Sequence, residues 1–170
     1  EYFKNMKVTN YTYEDIISNN SMSLAFSKDQ ADKRKDWLKE YNPDNVHDSC
    51  EKIPHRTFVD RELIHFSNDD CLRSIPHIID GLKPSQRKVL FACFKKGCFT
   101  RRQEVRVAQL AAYTSEHAMY HHGEASLQGT ITGMAQDFTG SNNINLLFPQ
   151  GQFGSRILGG ADAAQPRYIH

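Results

Sequence analysis

Residues 124–138 read EASLQGTITGMAQDF and contain the most regular helical pattern of the chain. Their apolar side chains recur at i, i+4, i+7, i+8 and i+11, which is the spacing of one face of an α-helix. We therefore predict a helix from about Glu124 to Phe138, ended by Ser141-Asn142-Asn143. The apolar face consists of Leu127, Ile131, Met134, Ala135 and Phe138.

Two further helices are predicted before this stretch. Pro84 stands where a first-turn proline is favourable and Gly97 where a glycine ends a helix, which predicts a helix between them. Residues 105–116 have a second apolar period and predict the next helix. The first of these helices has an apolar face of Val89, Leu90, Cys93 and Phe94 and a basic face of Arg87, Lys88, Lys95 and Lys96.

The segment after the third helix predicts β-structure. Ile144–Phe148 is a short apolar run closed by Pro149, and the glycine-rich residues 151–160 suit a β-hairpin. Helix, helix, turn, helix, strand and hairpin is the order of a winged helix-turn-helix, in which the third helix approaches the major groove of DNA. The predicted fold class is α+β and mainly helical, a winged helix-turn-helix domain with an N-terminal helical linker segment.

Composition divides the chain into two predicted regions. Residues 1–56 are a linker segment, with a polar helix over 28–41 and a turn-rich flexible loop over 42–56. Residues 57–170 are the winged-helix domain. Its first helical spacing, from Phe58 to Phe66, meets a polar break at Ser67–Asp70.

The formal net charge of +1 conceals one strongly basic segment. Residues 83–106 carry eight basic and one acidic side chain, whereas residues 1–82 carry 11 basic and 15 acidic ones. A concentrated cationic segment suits a polyanion such as DNA, although it is also compatible with a solvated helix face.

The cysteines and the apolar runs exclude other classes. Cys50, Cys71, Cys93 and Cys98 form no CxxC pair or disulfide framework, so they are predicted to be reduced thiols of an intracellular protein. Runs of about 18 apolar residues are absent from the sequence, so no membrane span is predicted.

Residues 120–124 read YHHGE and allow three interpretations. A zinc hydrolase would use His121, His122 and Glu124, but adjacent helical histidines point about 100° apart and the HExxH spacing is absent. A histidine at a helix N-terminus is better suited to holding a phosphate. A capping or packing histidine is the structural alternative.

Two further motifs suit phosphate chemistry. Residues 83–88 read KPSQRK and combine three cations at a helix start with a free hydroxyl, which could hold a DNA backbone, and they lack the glycines of an ATP-binding P-loop. Arg167 and Tyr168 pair a phenol nucleophile with a guanidinium that could neutralise a five-coordinate phosphate.

Together, these motifs resemble the breakage–reunion region of eukaryotic type IIA DNA topoisomerases (topoisomerase II). The resemblance spans residues 57–170 in order and spacing, apart from a slightly longer 97–102, and LAFS (24–27) with RKDWL (34–38) is similar to the link after that family's Toprim domain. It is carried by GLKPSQRKVLF (81–91), EVRVAQL (104–110), YHHGE (120–124), GSNNINLL (140–147), GQFG (151–154) and PRYI (166–169).

The resemblance implies a role for each matched residue. Tyr168 is expected to form a 5′-phosphotyrosine link, with Arg167 stabilising the transition state. His122 and Arg87 are expected to line the scissile phosphate. The expected DNA contacts are Lys83, Lys88, Tyr120 and Ser126.

The resemblance also implies components that these residues do not supply. Mg²⁺ is expected on carboxylates of the Toprim domain and ATP on an ATPase domain, both outside this chain, and no metal ligands are predicted within it. The expected partners are double-stranded DNA and a second copy of the same chain in a homodimer, with no membrane, and the expected location is the nucleus, or the host cytoplasm for a viral enzyme. We expect a fragment that binds DNA but cannot cleave it alone; a non-catalytic winged-helix DNA-binding module is the alternative.

Overall fold

The computed structural model describes residues 9–13, 15–46, 52–98, 100, 103–141 and 144–170. The chain divides into two compact units, Glu1–Ser74 and Ile75–His170. Helices dominate both units, and the predicted mainly helical α+β class is confirmed.

The first unit combines a short parallel strand pair with helices. Parallel strands need a long connection, which the intervening helices supply. Its elements are β1 (Asn10–Thr12), α1 (Asp15–Phe26), a 3₁₀ turn (Lys28–Gln30), α2 (Ala31–Lys39) and β2 (Lys52–Pro54), followed by α3 (His55–Phe58), a π-helical turn (Val59–Leu63) and α4 (Ile64–Ser74).

Two predictions for this unit are wrong. The expected break at Ser67–Asp70 does not occur, because the Asp70 carboxylate accepts hydrogen bonds from Arg73 at 3.0 Å and from the Ser74 hydroxyl at 3.1 Å within α4. Such i,i+3 and i,i+4 pairs stabilise a helix that the polar composition disfavours. The predicted loop over 42–56 also contains β2, which pairs with β1, while residues 47–51 lie outside the described part of the chain.

The boundary between the units follows from the core of the first one. Trp37 packs with Val59 and Ile64, and its indole N–H donates to the Asp60 carboxylate at 3.2 Å. Because these contacts tie the helix that begins at His55 to α2, the compact units divide after Ser74, whereas the sequence predicts a division between residues 56 and 57.

The second unit is built on α5 (Pro84–Lys96), α6 (Val107–His117) and α7 (Glu124–Ala135). Gly97 ends α5 with a left-handed backbone (φ 77°), as predicted. The helices meet over a core that also takes in two residues of the C-terminal segment. That core includes Val89, Val107, Leu110, Leu127, Ile131, Met134, Phe153 and Ile169.

The predicted strand over Ile144–Phe148 is wrong. The backbone N–H groups of Leu146 and Leu147 donate instead to the carbonyl of Met134, at 3.0 and 3.3 Å, and so satisfy the C-terminus of α7. This capping also agrees with α7 ending at Ala135, where Gln136 turns extended, rather than at Phe138. Asn142 and Asn143 of the predicted break lie outside the described residues.

The predicted β-hairpin over residues 151–160 is also not formed as regular strands. Gln150 and His170 exchange backbone hydrogen bonds at 3.0 and 2.9 Å, and the Ala164 N–H donates to the Gln152 carbonyl at 2.9 Å. The two limbs therefore approach each other as in a hairpin. Turns over 156–163 interrupt the ladder between them.

Candidate nucleic-acid interface

The segment that carries Tyr168 is fixed by its backbone. The first amides of α6, which have no partner within their own helix, donate to this segment: Val107 N–H to the Ile169 carbonyl and Ala108 N–H to the Pro166 carbonyl, both at 3.0 Å. The Tyr168 N–H closes a turn onto the Gln165 carbonyl at 2.8 Å. This arrangement binds the segment on both sides of the tyrosine.

The side chains on this segment alternate between the core and the surface. Ile169 is 1% exposed and belongs to the main core, while Tyr168 is 66% exposed. The guanidinium of Arg167, also exposed, lies 5.7 Å from the centre of the Tyr168 ring. An accessible phenol with a cation beside it is available to an anionic ligand in solution.

Glycine conformation shapes the approach to this segment at Gly154. Its φ of 104° is in the left-handed region, and a Cβ there would lie 2.6 Å from the Gly160 Cα and 2.8 Å from the Gly160 carbonyl oxygen. Both obstacles are backbone atoms, so neither can move aside cheaply. The close approach of these two backbones therefore requires glycine at residue 154.

Arg87 is on α5 and is engaged by a carboxylate that sequence reasoning missed. Its Nε donates to Asp80 Oδ2 at 3.1 Å, and its Nη2 lies 2.9 and 2.7 Å from the two Asp80 oxygens. The Leu82 N–H donates to Asp80 Oδ1 at 2.9 Å, and this bond, followed by the one from Arg87, holds the pKa of the Asp80 carboxyl below its usual range. In the sequence, Asp80-Gly81 indicates only a turn, although an acidic residue beside a basic helix start was the available signal.

Lys88, Tyr120, His122 and Ser126 are brought together where α5 meets the start of α7. The Lys88 ammonium donates to the Met119 carbonyl at 2.8 Å and lies 6.0 Å from the Tyr120 ring centre. The Tyr120 hydroxyl donates to Ser126 Oγ at 3.3 Å, and the rings of Tyr120 and His122 meet edge to face with centroids 5.3 Å apart. Tyr120 is buried, whereas His122 and Ser126 are exposed, so the tyrosine positions the two surface residues.

Lys83 lies at the N-cap of α5, where its N–H donates to the Gln86 side chain at 2.9 Å. It borders an open pocket of about 270 Å³ between the start of α5 and one side of α7. The wall of this pocket is largely polar and includes the small residues that lie one turn apart on α7. The lining residues are Lys83, Ser85, Gln86, Gly129, Thr130, Gly133, Gln136 and Ser141.

The predicted site residues thus form three groups: Arg167 with Tyr168, Arg87 with Asp80, and Lys88 with Tyr120, His122 and Ser126. Among the residues that the structure describes, no hydrogen bond or ring contact joins Tyr168 to Arg87 or His122. Within the same described ranges, no three His, Cys, Asp or Glu side chains lie close enough to hold a metal ion. Glu124, the third residue of the zinc alternative, accepts a hydrogen bond from Gln128 at 2.8 Å.

Two of the remaining sequence predictions concern the cysteines and the membrane. Cys71, Cys93 and Cys98 are free thiols, as predicted, and Cys50 lies outside the described residues. Over the described ranges, no helix has the length and apolar character that crossing a membrane requires.

The chain matches two protein families that together cover almost all of it. Residues 73–170 match the family described as DNA gyrase/topoisomerase IV. Residues 1–71 match the family described as the C-terminal associated domain of TOPRIM. The change from one family to the other falls next to the boundary between the two compact units.

Curated relatives match over the full length of the chain. It is 49% identical to a probable DNA topoisomerase 2 of Dictyostelium discoideum over 100% of its length, and 51% identical to DNA topoisomerase 2 of Saccharomyces cerevisiae over 100%. It is 48% identical to DNA topoisomerase 2-alpha of Rattus norvegicus over 99%. The chain spans 11 to 12% of the length of these relatives.

A solved structure agrees with these relatives. The crystal structure of the DNA-binding, cleavage and re-ligation domain of Plasmodium falciparum topoisomerase II is 49% identical in sequence and superposes with a TM-score of 0.69. The match covers 94% of this chain and 22% of that one.

Proposed function

The chain belongs to the type IIA DNA topoisomerases of the topoisomerase II type, and on that premise we propose that it carries the nucleophilic half of a DNA-cleavage site. The whole protein would change DNA topology by making a transient double-strand break, passing a second duplex through it and resealing. The observation that supports this role for Tyr168 is its placement: an exposed phenol on a segment bound to α6 and to the core through its neighbours.

The proposed reaction is a phosphoryl transfer to Tyr168. Its phenol oxygen bonds to phosphorus and loses its proton, while the bond from phosphorus to the 3′ oxygen breaks and that oxygen takes up a proton. The product is a 5′-phosphotyrosine ester and a free 3′-hydroxyl. Because one phosphate ester replaces another, resealing by the reverse step needs no external energy source.

The cations have separate parts in this reaction. An ordinary phenol has a pKa of about 10, so positive charge near the phosphate favours its attack at neutral pH. We assign Arg167 to the charge that develops on the phosphate, and Arg87 and His122 to the phosphate before attack. Lys83, Lys88 and Ser126, with Tyr120 behind them, bind the neighbouring backbone.

Asp80 affects how Arg87 can act. It occupies the Nε–Nη2 edge of the guanidinium, and the Nη1 edge remains for a phosphate, since the group carries five N–H donors. DNA binding therefore either adds a phosphate at the second edge or exchanges it for the carboxylate. In both cases the phosphate approaches a cation already held at a defined position.

The metal and the energy source of the reaction would come from outside this chain. The described residues provide no cluster of three metal ligands, so they do not fit the Mg²⁺ site of the family, and we assign Mg²⁺ to Toprim carboxylates elsewhere in the protein. ATP would bind a separate ATPase domain. A second copy of the protein would cut the other strand, and the nucleus is the expected location.

The proposal is tested by Tyr168→Phe in the whole protein that contains this chain. The variant lacks the nucleophilic oxygen, so covalent protein–DNA complexes trapped by denaturant should fall to background. DNA affinity measured by fluorescence anisotropy should stay nearly the same, because backbone binding rests on the cations.

Tyr113→Phe is the matched control, because its ring stacks on His117 in α6. It should leave covalent trapping unchanged. Persistent trapping by Tyr168→Phe would contradict the catalytic assignment and favour a non-catalytic winged-helix DNA-binding module.

A further inference from the structure

The C-terminus of α5 brings two cysteines together. Gly97 takes the left-handed conformation, the Cys98 N–H donates to the Cys93 carbonyl at 3.1 Å, and the Gly97 N–H donates to the Phe94 carbonyl at 3.2 Å. These two bonds define a Schellman motif, in which the side chains at the first and last positions are in contact. Cys93 and Cys98 occupy those positions.

The environment of the two thiols supports this pairing. Both are free and half-buried, and both line one cavity of about 110 Å³, whose opposite wall includes Phe153 and His170. Burial raises the pKa of the Cys93 thiol to about 11, and the neighbouring Cys98 contributes in the same direction. An effect of one thiol on the other requires the two sulfur atoms to be near each other.

We propose that Cys93 and Cys98 form an oxidisable dithiol site that closes to an intramolecular disulfide. With hydrogen peroxide as the two-electron oxidant, two S–H bonds break, one S–S bond forms, and the peroxide is reduced to two molecules of water. A bridge needs Cα atoms about 4.4–6.8 Å apart and Cβ atoms that face each other. A motif that places both side chains in contact supplies that arrangement without moving the helix.

The bridge would have a local consequence. It would join the last turn of α5 to the residue after Gly97 and hold the left-handed glycine in place. The basic face of the helix would remain exposed, because Lys95 and Lys96 are on the other side of the turn from the cavity. In an intracellular protein such a bond is expected to be transient and reversible by dithiol reductants.

The sequence makes the test direct. Trypsin cuts after Lys88, Lys95, Lys96 and Arg101, which separates Cys93 in VLFACFK from Cys98 in GCFTR. After peroxide treatment of the whole protein and alkylation of remaining thiols, mass spectrometry should find these two peptides linked and lighter by two hydrogens. Dithiothreitol should release them, and Cys98→Ser should yield no linked pair.

Gly97 provides the geometric control. Gly97→Asn tolerates the left-handed conformation and should retain the linked pair, while Gly97→Val, which rarely adopts it, should slow bridge formation by roughly tenfold. Alkylation of both cysteines after oxidation, oxidation of either one to a sulfinic acid in place of the bridge, or pairing with Cys71 would overturn the proposal. Equal bridging rates in the two Gly97 variants would also count against it.

Discussion

The two parts of the candidate interface are held in place by different means. Arg87 and Lys88 are on a regular helix with a proline start and a glycine end, whose opposite face is buried in the core. Tyr168 is on a segment without regular structure, held by carbonyls that receive the first amides of α6 and by one buried neighbour. The cations therefore depend on a helix that many contacts share, and the nucleophile depends on a few specific ones.

The largest expected effect comes from removing the anchor of that segment. Ile169→Ala should lower the free energy of unfolding by about 2–5 kcal/mol, the usual cost of truncating a buried isoleucine. Chemical denaturation measures it. Ile157→Ala is the matched control, since Ile157 is 93% exposed and its truncation should change stability by less than about 0.5 kcal/mol. Similar losses in the two variants would refute the anchoring role.

A smaller loss is expected where the two backbones of the glycine-rich segment meet. Gly154→Ala adds a Cβ against Gly160 backbone at a left-handed φ and should cost about 1–3 kcal/mol. Gly129→Ala, within α7 and with nothing within 4 Å of the new Cβ, should instead stabilise by up to about 1 kcal/mol. Thermal unfolding of both variants should give shifts of opposite sign; a tolerated Gly154→Ala would mean that the segment can rearrange.

On the helical part, the comparison is sharpened through Asp80. Asp80→Asn keeps an oxygen for the Leu82 N–H but removes the charge that pairs with Arg87, so DNA affinity at low salt should rise. The plot of log affinity against log salt should steepen by about 0.9, whereas Arg87→Ala should flatten it by about the same amount. If Asp80→Asn weakens binding, the carboxylate is required to orient Arg87.

The smallest effect is expected on the buried side of the same helix. Because burial raises the pKa of Cys93 to about 11, the folded state holds this proton more tightly than the unfolded chain does. The resulting stability is fully present below about pH 9, the ordinary value for the thiol, and is lost as the pH rises toward 11. Denaturation midpoints of the wild type should fall faster over this range than those of Cys93→Ala; parallel curves would contradict the raised pKa.

These differences explain how far the sequence could be interpreted. Periodicity and end signals predicted α5, α6 and α7 to within a few residues, because each helix buries one continuous face. The strand over Ile144–Phe148 and the hairpin were wrong, because amides of Leu146 and Leu147 cap α7 and turns interrupt the ladder. Asp80 was missed because its partner is seven residues away, beyond the spacings that helix or strand patterns describe.

The anchoring of Tyr168 also has a mechanical side. Once the tyrosine is esterified to a broken strand, any tension along the DNA as the break opens acts on this residue. The pull would pass to the α6 amides through Pro166 and Ile169, and a buried side chain would have to leave the core before the segment could yield. The C-terminal segment thus behaves as a tether that fails only after its helix has begun to give way.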